Sequence, residues 1–428
     1  MITDILLENI KSIKNTQEIK LAPITLLIGD NGSGKSTFIQ TLALFSQDAQ
    51  LTLNDGQIVV QGGFTQLVND NKKPIKIVVK GKLTNLEVPF SYLRNFDYEI
   101  ELEYNVNTGG NLAHTRFKLN AKNENPTINT KLANLTPFFN CEWFHNIGTR
   151  SFQQNLYNEA KDTTFTLEFV YNPPYNINVS NWLNNKFTQE EQNQILQTLN
   201  QIVIGIRLDF ENTSYVPALR GVDSGRHRLL DNVPRHPVNA SNFNNQSQIL
   251  SSSLTYNRDL ESKISSLMEA ILDRKCRSNL QQGILVSVET FNGQKWVNIT
   301  NEGFGANPLV QLIYQFVRAP PNSMILLEEP EIHLFPAAQK KLIINLIKHA
   351  KEENKQLLIT THSEHIYSIL LKYQEKYQND VKMYFCQKDD SNMTKINEIT
   401  ESNRELLKDF LAMDRDELAS ILEASGLG

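Results

Sequence analysis

The chain has 428 residues, 40% of them hydrophobic and 21% charged, with a net charge of −5. That length allows two or three domains and a sizeable core, and the composition is that of a soluble globular protein. The slightly acidic balance excludes a global grip on nucleic acid or on an anionic membrane; either contact would need a local basic patch. The start, Met1-Ile2-Thr3-Asp4, has no basic leader, and no apolar run reaches the ~18 residues of a membrane-spanning helix. Cys141, Cys276 and Cys386 lie far apart and match no metal spacing, so reduced thiols and a cytoplasmic setting are expected.

Taken in order, Ile5-Leu6-Leu7 and Ile19-Lys20-Leu21 read as strands, and residues 24–28 as a buried one. The stretch Gly29 to Ser36 then fits G-x-x-x-x-G-K-[ST] without a mismatch. In such a loop Gly29, Asp30, Asn31, Gly32, Ser33, Gly34 and Thr37 supply backbone around phosphates. Lys35 reaches the β and γ oxygens and Ser36 binds Mg²⁺. Phe38, Leu42 and Phe45 place a helix over 35–46, its positive end toward the anion.

Residues 51–60, 75–83, 98–106, 115–121 and 163–171 have β character. The stretch 107–130, rich in Asn, Thr and Gly, reads as exposed hairpin loops, and 181–206 turns helical. Residues 221–252 are polar and broken by prolines, the pattern of a mobile insertion. Arg220, Arg226 and Arg228 there are either a phosphate- or partner-binding cluster or solvated charges. A helix over 258–276 is too short for a coiled-coil arm.

Beyond it, strands at 284–288, 324–327, 357–360 and 381–385 alternate with helices at 308–317, 337–350 and 364–372. A last amphipathic segment starts near Asn403, with Asp414 and Glu417 as a capping box. Alternation at both ends predicts an α/β domain closed by its two termini. The expected division is an N-terminal lobe at 1–106, an inserted β-rich and helical region at 107–280, and a C-terminal lobe at 281–428.

Three further stretches carry chemistry. The apolar run Met324 to Leu327 ends in Glu328 and Glu329, as a Walker B strand should. There the first acid sits near Mg²⁺ and the second polarises the attacking water. After the next strand comes Thr361-His362-Ser363, a place for a histidine that contacts the γ-phosphate. Glu302-Gly303-Phe304-Gly305-Ala306-Asn307 opens a helix, and Gly-rich backbone at a helix N-terminus is an anion site.

The run Leu327-Glu328-Glu329-Pro330-Glu331-Ile332-His333-Leu334-Phe335-Pro336, with Thr361-His362-Ser363-Glu364-His365, resembles the stand-alone ABC-type AAA ATPases. These are related to OLD, RecF and SMC proteins and occur in bacterial anti-phage defence systems. Leu51 to Asn54, Gly63-Phe64 and Tyr215 to Gly221 share the likeness. It implies an α/β, ABC-type P-loop ATPase head assembled from both chain ends, working with ATP and Mg²⁺.

Glu329 and His362 are then the catalytic pair, Ser36 and Glu328 hold the metal, and Gly303, Gly305 and Asn307 meet the nucleotide of a second copy. Gly-Phe-Gly-Ala-Asn departs from the LSGGQ of transporter subunits. Gln47 and Gln66 are the candidates for a Q-loop. The stretch after His362 is too short for the Toprim nuclease of OLD proteins. The resemblance thus implies a homo-oligomer, dimer or larger, that serves as sensor or switch for a separately encoded effector. A RecF-like DNA-repair ATPase and an ATP-dependent assembly scaffold are the alternatives.

Overall fold

Alternating burial builds one sheet of this protein, and continuous apolar runs build another. The computed structural model describes residues 1–16, 18–47, 68–70, 73–84, 87, 96–106, 112–122, 140–145, 152–156, 166–167, 177–178, 188–233, 246–303 and 305–400. The expected strand at 51–60, the Q-loop candidate Gln66 and the segment from Asn403 lie outside them. The first elements are β1 (Ile2–Ile10), β2 (Ile13–Asn15), β3 (Ile19–Lys20), β4 (Ile24–Gly29) and α1 (Lys35–Gln47). Next come β5 (Ile75–Leu83), β6 (Phe96–Val106), β7 (Leu112–Lys122), β8 (Asn140–His145) and β9 (Phe152–Leu156). The pair β10 (Thr166–Leu167) and β11 (Ile177–Asn178) precedes α2 (Gln189–Glu211).

The remainder runs β12 (Ser214–Val216), β13 (His227–Arg228), α3 (Gln246–Tyr256), α4 (Arg258–Leu272), β14 (Lys275–Gln281), β15 (Leu285–Phe291) and β16 (Trp296–Asn298). It continues with α5 (Ala306–Arg318), β17 (Met324–Glu328), α6 (Pro336–Glu352), β18 (Gln356–Thr361), α7 (Glu364–Lys376), β19 (Val381–Lys388) and β20 (Thr394–Glu398).

The chain divides into two compact units. One takes in Met1–Leu21 and the described part of Val60–Glu211; the other takes in Ala22–Gln47 and the described part of Asn212–Gly428. In the first, an antiparallel sheet runs β2-β1-β5-β6-β7-β8-β9, with β3 beside β1. Ile75, Ile77, Val79 and Leu83 of β5 are buried while Lys76, Lys80 and Lys82 between them pair with Glu101, Glu99 and Asp97 of β6. That period of two is what a half-solvated antiparallel strand requires. Because β6 and β7 continue this sheet, the boundary expected at 106 falls inside it.

The second unit is built on a sheet of order β12-β17-β18-β4-β19-β20, parallel except for the last pair. Every residue of β4, β17 and β18 is buried, as strands covered on both faces must be. β4, from the chain's beginning, lies between β18 and β19, from its other end: Leu27 pairs with Thr360 on one side and Tyr384 on the other. This unit is therefore an α/β fold whose central sheet draws strands from both ends of the sequence.

A second, antiparallel sheet of this unit holds β13, β15, β14 and β16. Here two expectations fail. Residues 221–233 and 246–252 are not a mobile insertion: β13 pairs with β15, and Leu250, Ser251 and Ser252 of α3 are fully buried. Their polar look comes from serines that bond back into the helix, as Ser251 Oγ does to Ser247 O at 2.5 Å. Likewise the helix expected to reach Cys276 stops at Leu272, where Asp273 takes a left-handed cap, and Cys276 belongs to β14. Burial pushes the thiols of Cys276 and Cys386 up to about 12, so neither is a reactive thiolate. Among the described residues no helix is long and apolar enough to cross a membrane.

Leu26, in the middle of β4, is fully buried in the main core. Leu26→Ala should lower unfolding stability by about 2–5 kcal/mol through the cavity it leaves. The same truncation at Leu219, which is 87% exposed, should leave denaturant midpoints unchanged.

Candidate functional site

The loop between β4 and α1 has the backbone its glycines allow. Gly34 sits at φ +104°, and a Cβ there would lie 2.3 Å from Thr394 Oγ1. Gly29 sits at φ +152° with Cys386 O 2.0 Å from where its Cβ would be. Neither position accepts a side chain. Phe38 N bonds Gly34 O at 3.0 Å as α1 begins, and no acidic residue occupies its first turn. The positive end of the helix is thus left for an anion. The ammonium of Lys35 is buried and donates to Gly29 O at 2.7 Å and Asp30 O at 2.8 Å. Burial lowers its pKa, opposed by the charges of Glu329, Asp30 and Glu331.

β17 delivers Glu328 into the same neighbourhood. Its carboxylate is 4% exposed and accepts from Gln40 Nε2 at 3.1 Å and from the Tyr215 hydroxyl at 2.5 Å. Burial and the Glu328 charge raise the Tyr215 pKa far above the ordinary phenol, so it stays a donor. Gln40 lies one helical turn beyond Ser36, which puts the Ser36 hydroxyl on the same face of α1. A hydroxyl and a carboxylate are the hard oxygen donors that suit Mg²⁺, and these residues fit that ion.

Glu329 follows in the left-handed region, φ +44°, a conformation that costs a non-glycine residue about 1–3 kcal/mol. The proline after it narrows its choices further. In this posture its carboxylate lies 3.2 Å from Nε2 of His362, and its N–H donates to Thr360 O at 3.0 Å. Burial and the Lys35 charge lower the His362 pKa, while Glu329 and Asp30 pull it back up. Glu331 is buried as well: its Oε1 accepts from Thr361 Oγ1 at 2.6 Å and from His362 N at 2.9 Å. Burial raises its pKa.

Arg220 is no member of a phosphate-binding cluster. Its guanidinium turns inward and donates from Nη1 to Pro217 O (2.8 Å), Ala218 O (3.3 Å) and Glu328 O (3.1 Å). From Nη2 it donates to Glu329 O (3.1 Å) and Pro330 O (3.0 Å). Burial lowers its pKa to about 10, with Glu331, Glu329 and Glu328 opposing the shift. Arg226 and Arg228 are exposed.

The Gly-rich segment lies at the start of α5. Gly305 is its N-cap, and a Cβ there would meet His333 O at 2.9 Å. The amide of Asn307 is engaged within the chain, accepting from Val222 N at 2.5 Å and donating to Val222 O at 3.0 Å. Phe304 lies outside the described residues. Sequence reasoning missed Gln40, Tyr215 and Glu331. Tyr215 stood in a stretch noted only for its likeness to a family, and its partner is set by the pairing of β12 with β17.

Lys35, Glu328, Glu329 and His362 are thus gathered at one edge of a parallel sheet. A family model described as AAA ATPase domain matches residues 1–367, which span all four. The chain belongs to that family. No curated protein sequence matches it. Among solved structures, similar folds include an Smc head bound to the C-winged helix domain of ScpA (TM-score 0.48, 12% identity, covering 95% of this chain and 99% of that one). The SMC head domain from Thermotoga maritima scores 0.40 at 12% identity, covering 93% and 99%. An Smc head with an extended coiled coil, bound to the C-terminal domain of ScpA derived from Pyrococcus furiosus, scores 0.45 at 12% identity, covering 96% and 99%.

In this AAA ATPase domain, Lys35→Ala should abolish ATP binding, read with a fluorescent analogue. It should also move the His362 titration upward in NMR, because a positive charge that opposes imidazolium is gone. An unmoved titration would show that Lys35 and His362 do not share a site.

Proposed function

We propose that this AAA ATPase domain is a nucleotide-driven switch that binds Mg-ATP, pairs with a second copy across the nucleotides and acts on a separately encoded effector. The observation that carries the reading is the approach of the Glu329 carboxylate to Nε2 of His362 at 3.2 Å, within reach of the Lys35 charge. Glu329 takes the proton of the attacking water and His362 holds that carboxylate on the γ-phosphate side. Lys35 neutralises the β and γ oxygens, and Ser36 and Glu328 hold the metal. Mg²⁺ held by those two residues would offset the negative charge of the phosphate oxygens.

Gly303 and Gly305 present backbone N–H groups to the nucleotide of the second copy. In support, α5 starts without a side-chain cap; Ala306 N is bonded to Gly303 O and Pro308 has no N–H, which leaves the Asn307 N–H toward an anion. Since the Asn307 amide is tied to Val222, Asn307 contributes through its backbone. A role in anti-phage defence is supported by the resemblance of residues 327–336 and 361–365 to ATPases of such systems. A separate effector is supported by the assignment of the strong acidic pair, Glu328 and Glu329, to the nucleotide, since hydrolytic cleavage of nucleic acid by metal needs converging ligands of its own.

Glu329→Gln should keep Mg-ATP affinity, stop turnover and accumulate ATP-bound dimers on size exclusion, whereas Glu328→Gln should weaken the Mg²⁺ dependence. Equal turnover for Glu329→Gln and the unaltered protein would sink the role given to Glu329. Supercoiled plasmid and tRNA incubated with the protein, ATP and Mg²⁺ or Mn²⁺ should stay intact.

A further inference from the structure

The turn after β12 holds more than its own shape. β12 pairs in parallel with β17, Val216 opposite Leu327, so the chain leaving β12 runs beside the end of the Walker B strand. Pro217 to Leu219 then turn, and Arg220 comes back over three consecutive carbonyls, those of Glu328, Glu329 and Pro330. The β12 ladder ends at the Val216–Leu327 pair, so on that side the carbonyls beyond it need other donors. A guanidinium provides several in one plane, which an ammonium does not.

Glu329 is the residue caught between the two sets of bonds. Its N–H is held by Thr360 O on β18, and its C=O accepts from Nη2 of Arg220 at 3.1 Å and from Ile332 N at 3.2 Å. With both ends of the residue fixed, the left-handed backbone at φ +44° persists, and that backbone aims the carboxylate at His362. Without the guanidinium, the Glu329 carbonyl keeps only the turn bond from Ile332 N, and the peptide can shift toward the extended conformation that Pro330 favours, carrying the carboxylate away. The hydrogen bonds of Arg220 go to backbone carbonyls at 217–218 and 328–330, so its influence on chemistry runs through the 328–330 backbone.

We infer that Arg220 is the positioning residue for Glu329: it holds the strained residue in the posture that hydrolysis needs, without touching nucleotide. This rests on the reading of Glu329 as the base.

The test compares Arg220→Ala, Arg220→Lys, Glu329→Gln and the Arg220→Ala/Glu329→Gln pair, each for Mg-ATP affinity, turnover and the His362 titration. Arg220→Ala should lower kcat by about 100-fold, the scale of a misplaced catalytic group, with affinity held within roughly threefold. Arg220→Lys, with fewer donors in the wrong plane, should recover part of the rate. On a Glu329→Gln background, Arg220→Ala should cost nothing further, since both act through one group. In NMR, Arg220→Ala should move the His362 titration downward as far as Glu329→Gln does, because the imidazole loses the same carboxylate.

A dead Glu329→Gln beside an Arg220→Ala of normal turnover overturns the positioning role alone. Loss of turnover matched by loss of nucleotide affinity in both Arg220 variants overturns it too, as a structural clamp and nothing more. A fully active Glu329→Gln overturns the base assignment, and this inference with it.

Discussion

The register of β4 between β18 and β19 is the constraint on which the site depends. Ile28 stands opposite Thr361 on one side and Phe385 on the other, and Glu328 of β17 stands opposite Thr360. Parallel strands in register end at one edge, and the crevice beyond their carboxyl ends is where such sheets bind ligands. The P-loop, the acidic end of β17 and the histidine after β18 therefore emerge side by side. A slip of one residue in any of these pairings would turn each side chain to the opposite face. Continuous burial on both faces of the three strands opposes that slip.

That gathering creates an electrostatic problem. Glu328, Glu329 and Glu331 fall within four residues, and two of them are buried. Each is met differently: Glu328 by a phenol and an amide, Glu329 by an imidazole, Glu331 by a hydroxyl and a backbone N–H. The charges of Lys35 and Arg220 stand near the group from either side. Burial works against both cations, and the carboxylates work in their favour. The neighbourhood is stable only as a set, which is why removal of any single member is felt by the others.

Much of this was legible in the residues. The P-loop reads from spacing alone, and the acidic pair after an apolar run reads as its counterpart. The alternating elements from 284 onward lie within a few residues of their observed bounds. What the sequence could not carry was pairing between distant strands. Ser214–Val216 is too short to signal a strand by pattern, yet its place beside β17 gives Tyr215 its partner. Serines in α3 imitate a loop until their hydroxyls are seen to bond back into the helix. Arg220 looked like a surface charge because nothing local shows a guanidinium that its carbonyl partners would bury more than 100 residues away.

The placement of β4 has a consequence for biosynthesis. The strand leaves the ribosome early, but the neighbours on both its sides, β18 and β19, are encoded more than 330 residues later. At roughly 5–20 residues per second, a strand that is fully buried in the finished fold waits tens of seconds with both edges unpaired. Such a strand is a template for association with other chains, and its long-range pairing is slow to form. The nascent protein therefore passes through a period when its P-loop is complete in sequence and absent in structure. Nucleotide cannot help the P-loop segment to fold before then, because β18 and β19 follow it by more than 300 residues.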